Sequence, residues 1–327
     1  MNTTAEYYLN NSDLVGFPKF GWNFDISPTA FTVFGLEIKW YGILIAIGML
    51  LAMMYCFKRI KEFGLDSDRV IDAVVFGLIG AMIGARAYYV IFDADVTFAE
   101  FFRFRDGGLA IYGGLIGGLL VGGIAAKIRK VKILPLFDLA AAGFVIGQAV
   151  GRWGNFVNKE AFGSQTSLPW GMSSASIQYM LAPGSDTLVM AHPCFLYESL
   201  WCILGFILIH FYIKHRKFDG EIFLMYSAWY GFGRFFIEGL RTDSLYLGLI
   251  RVSQLLAIIC VVIAVFLIIF IRGKVKRYPE SFVLYKDTEE SKKLIEESEK
   301  KNAKVKTEVK SEEKIEVTEE KDDGKNN

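Results

Sequence analysis

Leu255-Leu256-Ala257-Ile258-Ile259-Cys260-Val261-Val262-Ile263-Ala264-Val265-Phe266-Leu267-Ile268-Ile269-Phe270-Ile271 runs for 17 residues without a polar side chain. With its lead-in from Arg251 it has the length of a helix crossing a hydrocarbon core, about 20 residues. Six further runs have the same character, at 38–57, 70–92, 109–126, 133–151, 193–213 and 220–239, of which the third, fourth and sixth are shorter or glycine-rich. Strand-period alternation is absent from all of them, which speaks against a membrane β-barrel. The expected fold is therefore an all-α integral membrane protein of about seven transmembrane helices. Composition agrees: 53% of the 327 residues are hydrophobic and only 22% charged. The charges are also uneven, with 25 of them in the 42 residues from Lys286 to Asn327. A net charge of +1 without a basic stripe excludes a nucleic-acid binder.

Three segments follow: an aromatic-rich arm over 1–37, a seven-helix body over 38–271 and a charged tail over 272–327. Alternate connections carry Lys58, Arg59, Lys61 and Arg69, then Lys127, Arg129, Lys130 and Lys132, then Lys214, Arg216 and Lys217. The chain after the last run begins Arg272, Lys274, Lys276 and Arg277 on the same side. The intervening connections mix signs, as in Asp93, Asp95, Glu100, Arg103, Arg105 and Asp106. Positive residues mark the cytoplasmic side, so the N-terminus is expected outside and the C-terminus inside. No cleavable signal is expected, since the first apolar run itself serves for insertion. Beyond Arg277 too few apolar side chains remain to offset ordering entropy, and a disordered or loosely helical cytoplasmic tail is expected.

Gly77, Gly80 and Gly84, and Gly113, Gly114, Gly117, Gly118, Gly122 and Gly123, recur at helical spacing. Small residues so spaced let backbones approach in lipid, the reading preferred here over a phosphate-cradling loop. Cys56, Cys194, Cys202 and Cys260 sit in apolar stretches without metal or redox spacing and read as small hydrophobes.

Polar chemistry concentrates at Gly151-Arg152-Trp153-Gly154-Asn155-Phe156-Val157-Asn158-Lys159-Glu160-Ala161-Phe162-Gly163. A guanidinium offers paired donors to phosphate, and amides can hold phosphate or glycerol oxygens. Read from the residues alone, an ordinary exit from helix to loop fits as well as an anion site. Arg234 and Glu238 lie four apart, on one helical face, with Arg241 and Asp243 beyond them. Each ionisable group within a span costs about 2.5–3.5 kcal/mol, so Arg86, Arg152 and Arg234 need partners, water or a route to the surface. An Arg–Glu pair that only fixes packing is the plainer reading. Trp40-Tyr41-Gly42, Asp106-Gly107-Gly108 with Tyr112-Gly113-Gly114, and His192-Pro193 with Tyr197-Glu198 open other helices on the same side.

Residues 151–163 resemble the signature of the prolipoprotein diacylglyceryl transferases, with Gly, Arg, Asn-Phe, Asn, Glu and Gly at matching spacings. The smaller motifs match in order, and together they span roughly 38–270. The resemblance implies a multi-pass enzyme of the bacterial cell membrane, working at its outer face. It would move the diacylglyceryl group of phosphatidylglycerol to the lipobox cysteine of prolipoproteins, forming a thioether and releasing glycerol phosphate. Its partners would be that lipid, those precursors and the bilayer, with no metal or organic cofactor. One position departs: Tyr112 stands where many members have a histidine proposed as the thiol's base. The resemblance does not carry that base role to a tyrosine, and the residues expected to act in catalysis are Arg152, Arg234, Tyr112 and Tyr41. Asn155, Asn158, Glu160, Gly163, His192, Glu238 and Arg241 would join the two arginines in binding the lipid. In that scheme Glu160 and Glu238 steady the guanidiniums, while Tyr41, Tyr112 and His192 bond the lipid or relay the thiol proton. A transporter for an anionic solute is the main alternative, and a scaffold with a docking tail is another.

Overall fold

A computed structural model describes residues 4–92, 101, 102, 108, 110–242, 246, 247, 250–301 and 303. Among these, the helices are α1 (Ala5–Leu9), α2 (Trp40–Arg59), α3 (Ser67–Phe92), α4 (Ile111–Ile128), α5 (Ile133–Asn158), α6 (Ala175–Leu181), α7 (Cys194–Tyr212), α8 (Glu221–Leu240) and α9 (Val252–Arg277). Five helical stretches are long and apolar enough to cross a membrane: Trp40–Phe63, Ser67–Phe92, Ile133–Asn158, Cys194–His215 and Val252–Arg277. Leu256, Val262, Phe266 and Ile269 of α9 are exposed, a surface suited to lipid rather than water. α4 is shorter, and α8 carries Glu221, Arg234 and Glu238.

The apolar runs match these helices with shifted ends. The largest shift is in α5, which continues seven residues past 151 to Asn158. Polar side chains end an apolar run without ending a helix, because the backbone bonds persist as long as those side chains find partners. α9 likewise extends to Arg277, where Lys274, Lys276 and Arg277 occupy its last turn and complement the helix dipole. Asp93, Asp95, Glu100, Arg103, Arg105, Asp106, Gly107, Asp243 and the tail from 304 onward lie outside the described residues.

The chain divides into two units, Met1–Lys58 with Phe137–Phe282, and Arg59–Leu136 with Val283–Asn327. In the first, the mostly helical body expected from the sequence carries short strands in the arm. There β1 (Leu14–Phe17) pairs antiparallel with β2 (Trp22–Asp25), while β3 (Thr29–Val33) and β4 (Leu36–Lys39) form a hairpin. Phe34 and Gly35 turn that hairpin with φ of 49° and 79°, the doubly left-handed turn that suits strand twist. β5 (Ser173–Ser174) completes a β2-β1-β5 sheet. A further hairpin joins β6 (Tyr246–Leu247) to β7 (Ile250–Arg251). Val15, Phe156, Phe162, Met172, Ile177 and Phe195 form a core tying the sheet to α5, α6 and α7. Lys159, with φ of 55° at the end of α5, donates to Ile26 O at 2.7 Å and lies 3.6 Å from Asp13.

α5 is the axis of this unit. Against α2, Gly48 meets the Gly147 backbone, and Cys56 Sγ donates to Leu139 O at 3.4 Å. Against α8, Gln148 bonds Tyr226 at 2.8 Å and Arg152 bonds Tyr230 at 3.2 Å. The shared offset means that α5 and α8 run in the same direction. At the start of α8 the Asp138 carboxylate accepts the Gly220 and Phe223 N–H groups at 2.8 and 2.9 Å, capping that helix from its neighbour.

In the second unit the glycines pack α3 on α4. A methyl on Gly84 would fall 2.9 Å from Gly117 Cα, and one on Gly80 2.6 Å from Gly117 O, which is the helix-packing use of such spacing. Arg86, buried in α3, donates to Phe101 O at 3.2 Å and Gly108 O at 3.0 Å. In the first part of the tail, residues 289–301 are helical. Lys61 pairs with Glu299 at 2.5 Å, Lys132 with Glu290 at 3.1 Å, and Ser291 Oγ donates to Gly64 O at 2.8 Å. Tail acids thus find the bases that follow α2 and precede α5, an attraction that composition alone does not show.

Candidate active site

Arg152 of α5, Glu198 of α7 and Arg234 of α8 converge within the first unit. Arg152 Nη2 lies 2.7 Å from Glu198 Oε2, and Arg234 Nη1 lies 3.0 Å from Glu198 Oε1. Arg234 Nη2 also lies 2.6 Å from Glu238 Oε2, and Arg241 Nη1 3.6 Å from Glu198 Oε1. Glu198 and Glu238 are buried, at 4% and 2% exposure. Arg152 and Arg234 keep about a fifth of their side chains accessible. Three guanidiniums thus converge on the buried Glu198 carboxylate, and those of Arg152 and Arg234 stay partly accessible, with donors that can meet an anion. Glu198, Cys202, Tyr230 and Arg234 line a small cavity beside it.

The sequence reading placed Arg152, Arg234, Glu238 and Arg241 together, and the structure does so. Glu160 is corrected: it accepts Asn155 Nδ2 at 3.0 Å and Asn158 Nδ2 at 3.3 Å. Those bonds fold the end of α5 back on itself, and the side chain that grips Arg152 is Glu198. Gly163 holds a backbone crossing, donating to His192 O at 2.9 Å and bridging Arg241. A methyl there would come within 2.8 Å of His192 Cβ and 3.0 Å of Leu240 O, so only glycine fits this crossing. Tyr41 lies against Gly154, where a methyl would meet its Cε2 at 2.9 Å. Tyr112 belongs to the other unit, on α4, exposed and with its ring 6.5 Å from that of Tyr88.

His192 Nδ1 lies 3.1 Å from the Tyr197 hydroxyl, which in turn accepts Trp170 Nε1 at 2.7 Å. Burial pushes the imidazole below its ordinary value of 6.5. A base whose folded pKa is depressed contributes stability fully above its unfolded pKa and loses it as pH falls below. The acid-side fall in melting temperature below about pH 6.5 is therefore expected to shrink in His192→Gln, measured by thermal unfolding across pH 5–8.

Near the end of α5, Trp40, Leu44, Trp153, Phe156 and Val157 line an apolar groove of about 490 Å³. Asp25, Ser27 and Thr29 form its polar edge. The Arg152 guanidinium and an apolar groove thus share one helical segment, an arrangement suited to an amphiphile.

Comparison with known proteins identifies the family. The family described as prolipoprotein diacylglyceryl transferase matches residues 28–270. A phosphatidylglycerol–prolipoprotein diacylglyceryl transferase of Clostridioides difficile is 42% identical over 236 residues, 71% of this chain and 90% of its own. One of Finegoldia magna is 43% identical over 73% of this chain and 93% of its own, and one of Staphylococcus haemolyticus 41% over 80% and 92%. The matched region contains the whole arginine–glutamate cluster, and by its extent and identity the chain belongs to the prolipoprotein diacylglyceryl transferase family.

Proposed function

We propose that this chain transfers the diacylglyceryl group of phosphatidylglycerol to the cysteine thiol of a prolipoprotein lipobox. The thiol sulfur attacks the glycerol carbon, the bond from that carbon to the phosphate oxygen breaks, and a thioether and glycerol phosphate result. The observation that carries the site assignment is the convergence of Arg152, Arg234 and Arg241 on Glu198, with the Arg152 and Arg234 side chains still about a fifth accessible. Arg152 and Arg234 hold the phosphate and take up its charge as it departs. Glu198 and Glu238 orient the two guanidiniums, and Asn155 and Asn158, steadied by Glu160, face the head group. Arg241, His192 and Gly163 shape the wall around it, and Tyr41 lies over the end of α5.

Magnitudes favour leaving-group stabilisation over thiol activation. A free cysteine of pKa about 8.5 is about 3% thiolate at neutral pH. Lowering its pKa to 7 raises the thiolate about 16-fold but lowers nucleophilicity about five-fold, a net gain of about three-fold. Donors placed at a developing anion contribute about 3–4 kcal/mol each, and positioning about 7–11 kcal/mol. Tyr112→Phe is accordingly expected to keep transfer within about three-fold of the parent. A loss of several hundred-fold in the same assay would make its hydroxyl the essential proton acceptor.

The same reading sets the protein in the bacterial cytoplasmic membrane with seven spans, α4 and α8 joining the five longer helical stretches. The ion pairs of Arg234 and Glu238 offset the cost of charge within α8. Basic residues at the ends of α2, α4, α7 and α9 fit a cytoplasmic location, which puts the cluster at the outer face. The arm over 1–37 would lie at that interface, 38–271 would form the catalytic body and 272–327 the cytoplasmic tail.

The test is purified protein with labelled phosphatidylglycerol and a lipobox peptide. Label on cysteine, lost when that cysteine is replaced by serine, is the expected result. Flux of an anionic solute in proteoliposomes without transfer would replace this reading with a transporter, and loss of function on tail deletion alone would favour a scaffold.

A further inference from the structure

Trp201 of α7 and Trp229 of α8 hold each other reciprocally. Trp201 Nε1 donates to the Trp229 carbonyl at 2.9 Å, and Trp229 Nε1 to the Trp201 carbonyl at 3.0 Å. The rings stack with centroids 4.1 Å apart and planes 9° apart. Each indole fills the space left by a glycine on the facing helix. A methyl at Gly205 would lie 2.6 Å from Trp229 Cδ1, and one at Gly233 2.7 Å from Trp201 Cε2. Tryptophan is usual at membrane interfaces, where its N–H meets water. Here both residues sit near the middle of their helices, and each N–H is satisfied by the second lone pair of a helical carbonyl.

This arrangement fixes register. The two helices run antiparallel, with Glu198 opposite Arg234 and Tyr212 opposite Glu221. Sliding one helix by a single residue moves it about 1.5 Å, which takes both indole bonds beyond hydrogen-bond distance and drives each ring into the facing backbone. Glu198 lies one turn from Trp201, and Trp201 and Gly233 line the same small cavity as Glu198 and Arg234.

We propose that Trp201 and Trp229 form a positioning latch for the arginine cluster. It sets α7 against α8 so that one Glu198 carboxylate spans the guanidiniums of Arg152 and Arg234. Neither indole touches the reacting atoms, so both are positioning residues, and the proposal rests on the cluster being the phosphate site. A misplacement of the order of 1 Å costs up to about 100-fold in rate, and Phe at either position keeps the stack while removing one bond.

The experiment measures steady-state transfer by full-length protein, with phosphatidylglycerol and a lipobox peptide, for Trp201→Phe, Trp229→Phe and the double variant. Each single change is expected to lower kcat about 10-fold with the KM for lipid within about two-fold. The double is expected to cost little more than either single, since one reciprocal device is lost. In a Glu198→Gln background Trp201→Phe should cost less than about two-fold, because its effect runs through that carboxylate. Gly233→Ala, which displaces the Trp201 ring, should reproduce the kcat loss. Unchanged kcat per folded molecule, or losses that multiply with Glu198→Gln, would overturn the latch. So would failure of both Phe variants to fold, which would assign the pair to stability alone. Absence of transfer by the unaltered protein would instead sink the functional reading itself.

Discussion

Replacing Arg234 with lysine is expected to lower kcat/KM for diacylglyceryl transfer by about 10²–10³, with Arg152→Lys close behind. Lysine keeps the charge but has no planar fork, so it cannot face a carboxylate and a phosphate oxygen at once. Arg234 uses its two terminal nitrogens on different carboxylates, 3.0 Å from Glu198 and 2.6 Å from Glu238. A compact ammonium there cannot reproduce both contacts in the fork's fixed geometry, so the grip on Glu238 or on Glu198 is weakened. Because the phosphate carries most charge as it departs, kcat should fall more than KM rises. Near-normal thioether formation by either lysine variant in membranes, scored by mobility of the lipidated peptide, would remove the paired-donor grip from the account.

Glu198→Gln is the second large effect. The carboxylate sits at 4% exposure and touches Arg152, Arg234 and Arg241. Removing one partner of a buried ion pair typically costs about 3–5 kcal/mol, because the opposite charges stay behind. Arg152, Arg234 and Arg241 would each lose their contact with this carboxylate, while Arg234 would keep Glu238. Transfer is expected to fall about 100-fold, and the melting temperature in detergent to drop. A bound phosphate-bearing lipid should recover part of that melting temperature, since an anion replaces the missing charge. If Glu198→Gln melts and transfers like the parent, the guanidiniums are held by other groups.

The membrane helices were legible wherever apolar residues run unbroken, as in α9. They were less legible where polar residues enter a helix, as after Gly151 in α5, because hydropathy cannot tell a helix with partners across the protein from a helix that stops. Glu198 escaped the site reading for a related reason. Beside His192, Pro193 and Tyr197 it reads as part of a wet helix start, and its partners lie 36 or more residues away on other helices. The usable signal was the charge itself: a glutamate followed by Ser199-Leu200-Trp201-Cys202-Ile203-Leu204 must find cations. Glu160 is expected to steady a guanidinium, yet its short tether to Asn155 and Asn158 gives it a closer match. In the arm, Thr29–Val33 and Leu36–Lys39 around Phe34-Gly35 carry strand and turn residues, which a reading by composition passes over.

The central claim is that the guanidinium cluster grips a lipid phosphate. Solid-state NMR with ¹⁵N-arginine protein and ³¹P phosphatidylglycerol in bilayers measures that distance directly. The account predicts dephasing that corresponds to about 4 Å between head-group phosphorus and guanidinium nitrogen, lost in the Arg152→Lys, Arg234→Lys double variant. A lipid that still supports turnover while its phosphorus shows no coupling to either arginine would contradict it.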